Sequence, residues 1–375
     1  MLEFLTLKLE AFGLDISDLS LKIIKLKKRG KSLTLASFLE EKIEPGIIKG
    51  GEVRDEKRLA EIIKEAIKKV KGKKLKTNYV VASLPEEKAY LEVIQMPRVP
   101  EEDLKSAVIY EAENYIPLPI EDVYLDSQII QPVFNHLDHF DILIAALPKK
   151  TVDPYLSSLK LAGLQPLVFE IESQAIARAL IKNETAISSY LLIDLGATRT
   201  GFIIFSGNSL RFTSSIPVSS GNFTEIISKN LGVSFAEAEK LKIKYGLEEK
   251  IKIKIRDGMV VRREKGKIFE ALVPALVDLI QQIRRCLNYY QTHASHEHLP
   301  PNGGGVSKIL LCGGGANLKG LPDLLSLELK LPVELGNPWI NILPEGKREA
   351  GELSFEESLK YTTALGLALR GIKEK

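Results

Sequence analysis

The stretch from Tyr190 to Phe205, YLLIDLGATRTGFIIF, constrains the fold of this chain more than any other. Apolar Leu191, Leu192 and Ile193 run into Asp194, a small-residue turn follows at Gly196, Ala197 and Thr198, and a second apolar run begins at Gly201. Two β-rich runs around a short glycine turn read as a hairpin. Gly196 lets a polyphosphate approach the backbone closely, and Thr198 and Thr200 offer hydroxyl donors. Asp194, at the strand end, is placed to hold a hydrated Mg²⁺. An ordinary hairpin with an aspartate ahead of its turn has the same sequence.

Near the N-terminus FGLDISDLSLKIIKL, from Phe12 to Leu26, repeats the layout: Asp15 after an apolar residue, a polar turn with Ser17, Asp18 and Ser20, then a second strand carrying Lys22. The two aspartates lie about 180 residues apart, too far for a solenoid period and right for two similar half-molecules. A third stretch, Lys308 to Cys312 followed by Gly313, Gly314 and Gly315, is a strand entering a glycine turn, with a helix expected over 318–329. Strand, glycine loop and helix N-terminus together suit an anion. Three such stretches point to a nucleotide.

At this point the chain resembles the actin-like ATPase superfamily and, within it, the type IV pilus assembly family PilM, with the cell-division family FtsA as a cousin. The most specific piece is VIQMPRVPEEDLKSAVIYEAENYIPLPIEDVYLDSQ, Val93 to Gln128, which resembles the small inserted domain of PilM. FTEIISKNLGVSFAEAEKLKIKYGL (Phe223 to Leu247) and YTTALGLALR (Tyr361 to Arg370) add to it. The resemblance implies an α/β, actin-like (ribonuclease H-like) fold of two lobes with an inserted strand–helix–strand–strand domain of SHS2 type. It divides the chain into a first lobe over 1–84, completed by 151–188 and the last helix, and an insert over 85–150. The second lobe follows over 189–222 and 266–353, with a small subdomain over 223–265 and a crossing helix over 354–375.

The same resemblance implies ATP and Mg²⁺ between the lobes, the phosphates clamped by one hairpin from each. Asp15 and Asp194 hold the metal; Ser17, Asp18, Ser20, Lys22, Gly196, Ala197, Thr198 and Thr200 surround the phosphates. Gly221, Glu239, Lys242, Gly313, Gly314, Gly315 and Asn317 meet the adenosine side, although Glu239 and Lys242 also fit a plain i,i+3 ion pair. Glu172 is aligned with the residue that orients the attacking water; an acid favoured by a helix N-terminus reads the same way. Ser17 stands where the family has glycine, Asp18 adds charge beside the phosphates, and Gln282 replaces a commoner acid. ATP binding with slow or no hydrolysis is therefore expected. The insert implies a protein partner, the cytoplasmic N-terminal peptide of a PilN-like inner-membrane protein, bound between insert and first lobe. An FtsA-type filament protein would need a terminal amphipathic helix, and ALRGIKEK offers none. A small-molecule kinase on this fold needs a catalytic Asp that no segment supplies.

Composition agrees. Lys and Arg number 52 against 49 Asp and Glu, so the near-balanced charge implies no nucleic acid. Two separate cysteines, Cys286 and Cys312, suit a reducing cytosol. Met-Leu-Glu-Phe-Leu has no basic region of a signal peptide, and no run reaches the ~18 apolar residues of a spanning helix. The expected location is the cytoplasmic face of the inner membrane, reached through partners. The lysine run from Lys68 to Lys76 fits a solvated helix end, with anionic lipid as the other reading. No Gly-Lys-Ser/Thr occurs, which disfavours a P-loop. Cys286, His293, His296 and His298 lack a suitably spaced fourth zinc ligand. Amphipathic spacing predicts helices over 56–70 and 269–290, the latter with Pro274 in its first turn, and others over 100–115, 151–163, 170–180 and 354–370.

Overall fold

The computed structural model describes residues 10–30, 32–132, 138–247, 252–256, 259–264, 267–293 and 304–373. Two mixed sheets carry the molecule. The first has six strands in the order Gln165–Ile171, Tyr79–Leu84, Phe12–Ile16, Ser20–Arg29, Ser32–Lys42, Lys71–Gly72. The second has five, Ser209–Ile216, Thr200–Gly207, Ala186–Leu195, Val306–Cys312 and Val333–Leu335. Each is led by a strand that pairs antiparallel with its hairpin partner and parallel with a later strand. The two expected hairpins thus occupy equivalent places.

Both leading strands read as continuous apolar runs because both of their faces are covered. Phe12, Leu14 and Ile16 pack beneath helix Glu56–Lys69 and helix Lys149–Leu161 through Leu59, Ile63, Val152, Tyr155 and Leu159. Leu191 and Ile193 pack on the long helix Lys267–His293 through Leu272, Leu276, Leu279 and Ile283. Between the sheets lie helix Glu172–Leu180 and the crossing helix Thr362–Lys373. Ile176 and Leu180 face the second sheet with Leu192 and Ile203, whereas Ala175 meets Val81 on the first sheet and Leu367 on the crossing helix. Gly366 backs onto helix Glu172–Leu180 so closely that a Cβ would overlap the Ala175 carbonyl oxygen.

A third sheet, Tyr90–Pro97, His139–Pro148 and Val123–Ile130, packs against helix Glu101–Ala112, giving the strand–helix–strand–strand order expected of the insert. Ile94, Val108, Ile142 and Ile144 form its own core. It is tied to the second sheet by a buried ion pair, Arg211 Nη1 to Asp141 Oδ2 at 2.7 Å.

Several element bounds differ from the sequence expectation. Pro274 lies inside the long helix, because the helix already begins at Lys267. Its lost amide bond is offset by the apolar face buried along the helix. Glu170 and Ile171 belong to a strand, in register with Ser83 and Leu84, and the helix starts at Glu172. The glycine loop enters a 3-10 turn, Gly314–Asn317, and the helix beyond begins only at Leu321, so no helix N-terminus faces the loop. The last helix is broken by a 3-10 turn at Leu359–Tyr361, where the Leu359 carbonyl accepts the Gly313 amide at 3.0 Å. The first nine residues, His296, His298 and Gly303 lie outside the described residues, as does the start of the strand expected at Lys250.

Replacing Gly366 with alanine forces the two central helices apart. Gly366→Ala is expected to cost about 3 kcal/mol, the upper end for overpacking, read as a lower urea midpoint at unchanged m-value.

Candidate functional site

The leading strands end side by side at a cavity of about 280 Å³. Ligand sites of open α/β sheets form at such carboxyl ends of strands. Asp15 and Asp194 are each the second-last residue of their strand. Asp15 is buried; the Ser83 hydroxyl donates to its Oδ1 at 3.2 Å, and Lys22 Nζ lies 3.4 Å from its Oδ2. Lys22 arrives there because it pairs across the hairpin with Asp15, and its ammonium also donates to Ser20 Oγ at 3.1 Å. The turn between them is closed by Ser17 N to Ser20 O at 2.9 Å.

On the facing sheet the turn after Asp194 is closed by Gly196 N to Arg199 O at 3.0 Å. Helix Ser220–Leu231 braces it, with Ser220 N donating to Gly196 O and Gly221 N to Ala197 O. Gly313, at φ 80°, presses against Asp194, and a Cβ there would overlap the carboxylate oxygen. Cys312 turns its thiol toward the same oxygen at 3.8 Å. Glu172, first in its helix, accepts from Glu86 N at 3.2 Å while Glu86 accepts from Ser173 N at 3.3 Å.

Charge in the cavity is unbalanced. Asp15, Glu40, Glu86, Glu172, Asp194 and Glu239 line it against Lys22, Arg199 and Lys360. Loss of water and the nearby Asp15 charge push Asp194 up to about 6 and Glu172 well above the usual carboxylate range. Burial alone raises Glu86. For Lys22, burial opposes its charge, but Asp15, Glu40 and Asp194 together hold its ammonium above the ordinary value. Uncompensated carboxylates at the end of two rigid strands, beside a glycine cradle that a Cβ would fill, fit a divalent cation carrying an anion. Among the described residues no three His, Cys, Asp or Glu side chains converge on one metal position. Mg²⁺, which keeps several waters and needs only one or two carboxylates, suits such a site.

Thirteen of the eighteen residues singled out in the sequence line the cavity: Asp15, Ser17, Ser20, Lys22, Glu172, Asp194, Gly196, Ala197, Thr198, Glu239, Gly313, Gly314 and Gly315. Five do not. Thr200 turns into the core and donates to Val218 O at 2.7 Å. Gly221 supports the turn from behind. Lys242 is occupied by Ser220 and Thr224 behind Glu239, with Nζ 2.8 Å from the Glu239 carboxylate. Asn317 donates to Glu356 O at 2.8 Å. Asp18 is not among the cavity-lining residues; it accepts from Gly50 N and Gly51 N at 2.9 and 3.0 Å. Gln282 bonds Asp278 on its own helix. Sequence reasoning missed Arg199, Glu86, Ser173 and Lys360. Only Arg199 carried a signal, its place inside the central turn. Cys286 is buried in the core, its thiol pushed up to about 12 by burial, and His293 stacks on Tyr289.

The Asp194 shift sets a pH dependence. Its folded value, about 6, lies above the unfolded 3.8, so the ionised carboxylate opposes folding. That cost is full above pH 6 and is relieved as pH falls from 6 toward 4. Without divalent ion, Asp194→Asn is expected to be the more stable protein at pH 8. After screening in an open cavity the gain is about 1–2 kcal/mol. Denaturant unfolding across pH should show that gap closing below pH 6.

Comparison with known proteins agrees with this architecture. The chain matches the family model for the type IV pilus assembly protein PilM over residues 13–372. The solved structure of a PilM–PilN type IV pilus biogenesis complex is 29% identical, with TM-score 0.77, covering 98% of this chain and 100% of that one. MreB 5 of Spiroplasma citri bound to AMPPNP shares the fold at TM-score 0.55 and 14% identity, covering 98% of each chain. The cell division protein FtsA of Buchnera aphidicola subsp. Baizongia pistaciae is 27% identical over 184 residues, 45% of this chain. The match spans 43% of that FtsA, less than half its length. The fold is that of the actin-like ATPases, and the chain belongs to the type IV pilus assembly protein PilM family.

Proposed function

We propose that this chain is an ATP-binding assembly protein of a type IV pilus, or of a related secretion or competence machine. It works at the cytoplasmic face of the inner membrane and captures the cytoplasmic N-terminal peptide of a PilN-like membrane protein. The insert, residues 85–150, provides one wall of the peptide site and the first sheet the other.

The observation that carries this reading is a groove of about 660 Å³ between two unpaired strand edges. Val123–Ile130 is an outer strand of the insert sheet, and Gln165–Ile171 is an outer strand of the first sheet. Both line the groove, with Leu125, Leu143, Leu167 and Phe169 among its apolar contacts. Free backbone donors and acceptors beside apolar side-chain pockets suit an extended peptide added as a strand. The printed partner of the similar PilM structure, PilN, supports the choice of occupant.

Nucleotide enters the reading through the cavity between the sheets. Asp15 and Asp194 would hold Mg²⁺, which neutralises the charge that otherwise repels phosphates. Lys22, Ser17, Ser20, Gly196, Ala197 and Thr198 would meet the phosphates, and Gly313 to Gly315 with Glu239 would border the nucleoside. Glu172 stands where it could orient a water, and its bond to the Glu86 amide keeps it in place. Strand Gln165–Ile171 leaves the groove and passes directly into Glu172, so the two sites share one element.

The test is fluorescence polarisation with a labelled N-terminal peptide of the PilN-like partner, with and without Mg·ATP. Binding is expected to change with nucleotide. Gln128→Trp, on the exposed edge of the insert, should weaken it about 10-fold, ~1.4 kcal/mol. Absence of peptide binding in both states would remove the capture role.

A further inference from the structure

One ion cluster spans the cavity mouth. Arg199 sits in the turn of the central hairpin, on the second sheet, and its side chain lines the cavity. Its Nη2 lies 3.4 Å from Asp18 Oδ1, in the turn of the first hairpin, and its Nη1 contacts the Glu87 carboxylate. Glu87 follows strand Tyr79–Leu84 in a 3-10 turn of the first sheet. A single guanidinium therefore ties the tips of the two hairpins together.

We propose that Arg199 is an inter-lobe latch that distinguishes a nucleoside triphosphate from a diphosphate. It holds Asp18 and Glu87 when the cavity lacks a terminal phosphate, and transfers to that phosphate when one is present. The inference rests on the nucleotide reading above and assigns the residue that senses the ligand's length.

Three observations carry it. First, the other lining cations are committed elsewhere: Lys22 to Asp15 and Ser20, and Lys360 to Glu40 at 2.6 Å. Arg199 is the cation placed on the turn itself, where a phosphate chain held between the hairpins would reach it. Second, one of its present partners tolerates its departure. Asp18 keeps two backbone donors, Gly50 N and Gly51 N, so losing Arg199 does not strand its charge. The Glu87 carboxylate oxygens are buried without a hydrogen-bond partner, so Glu87 is the anion that a terminal phosphate must outcompete. Third, guanidinium matches phosphate in a planar two-bond geometry that Lys cannot supply, which favours exchange over the long 3.4 Å contact to Asp18. A purely structural ion pair would oppose both nucleotides equally when broken. A latch whose guanidinium transfers to the terminal phosphate alters affinity for the triphosphate alone.

The experiment is calorimetric titration of the full chain with Mg·ADP and, separately, Mg·AMPPNP. Wild type is expected to prefer the triphosphate. Arg199→Gln should lose about 10-fold or more in Mg·AMPPNP affinity, the size of one charge-assisted contact, while Mg·ADP changes less than about 3-fold. Asp18→Asn removes a competitor and should move Mg·AMPPNP affinity the opposite way, up by about 3-fold. Arg199→Lys should restore only part of the preference. Without nucleotide, hydrogen exchange in Arg199→Gln should speed up at the turn amides of Ser17 and Gly196 and leave the core strands unchanged. Equal losses for both nucleotides, or the same sign for Arg199→Gln and Asp18→Asn, would overturn the latch and leave nucleotide binding standing. No binding of either nucleotide to wild type would overturn both.

Discussion

Two carboxylates set the terms for the rest of the molecule. Asp15 and Asp194 end the leading strands of separate sheets and face one cavity, where burial and then the Asp15 charge raise Asp194 to about 6 in spite of Lys22. Such an arrangement opposes folding and persists because the sheets on either side over-determine it. Phe12, Leu14 and Ile16 on one strand, and Leu191, Ile193 and Leu195 on the other, are buried. Gly313 closes the space that any side chain would take from Asp194. Perturbed carboxylates in a cleft mark a functional site in general. Here their shared excess of negative charge fits the divalent cation proposed for the cavity.

The joint between the sheets carries a second constraint. Helix Glu172–Leu180 is buried against both sheets and begins at the cavity with Glu172. Arg178 on the same helix pairs with buried Glu170, whose strand lines the groove beside the insert. Breaking such a buried pair costs about 3–5 kcal/mol, so strand and helix move as one unit. The insert has a comparable anchor in Asp141 and Arg211, whose strand neighbours the central hairpin. The carboxylate cavity and the groove are thus joined by packed, charge-fixed elements rather than by loops.

Much of this was legible in the sequence because its strongest signals are local. Apolar runs ending in aspartate, followed by small-residue turns, specify a hairpin with a polar tip, and both were found where expected. The insert's strand–helix–strand–strand order followed from Pro100 with its acids and from Pro117 and Pro119. Side-chain direction was not legible. Thr198 and Thr200 look alike in sequence, yet Thr198 sits in the turn at the cavity while Thr200 already begins the strand and turns its hydroxyl to the Val218 carbonyl. The partners of Asp18 were not legible either, because Gly50 and Gly51, its amide donors, lie 32 and 33 residues away. Arg199 gained its meaning from Asp18 and Glu87, which no spacing rule connects.

The most direct measurement is calorimetry of ATP binding with Mg²⁺ and again in EDTA. The account predicts binding heat with Mg²⁺ and its loss in EDTA, because phosphate oxygens next to Asp15, Asp194 and Glu172 are repelled without the cation. Equal ATP affinity in both conditions would contradict it. The carboxylate pair would then not be a metal seat, and the charge imbalance of the cavity would need another explanation.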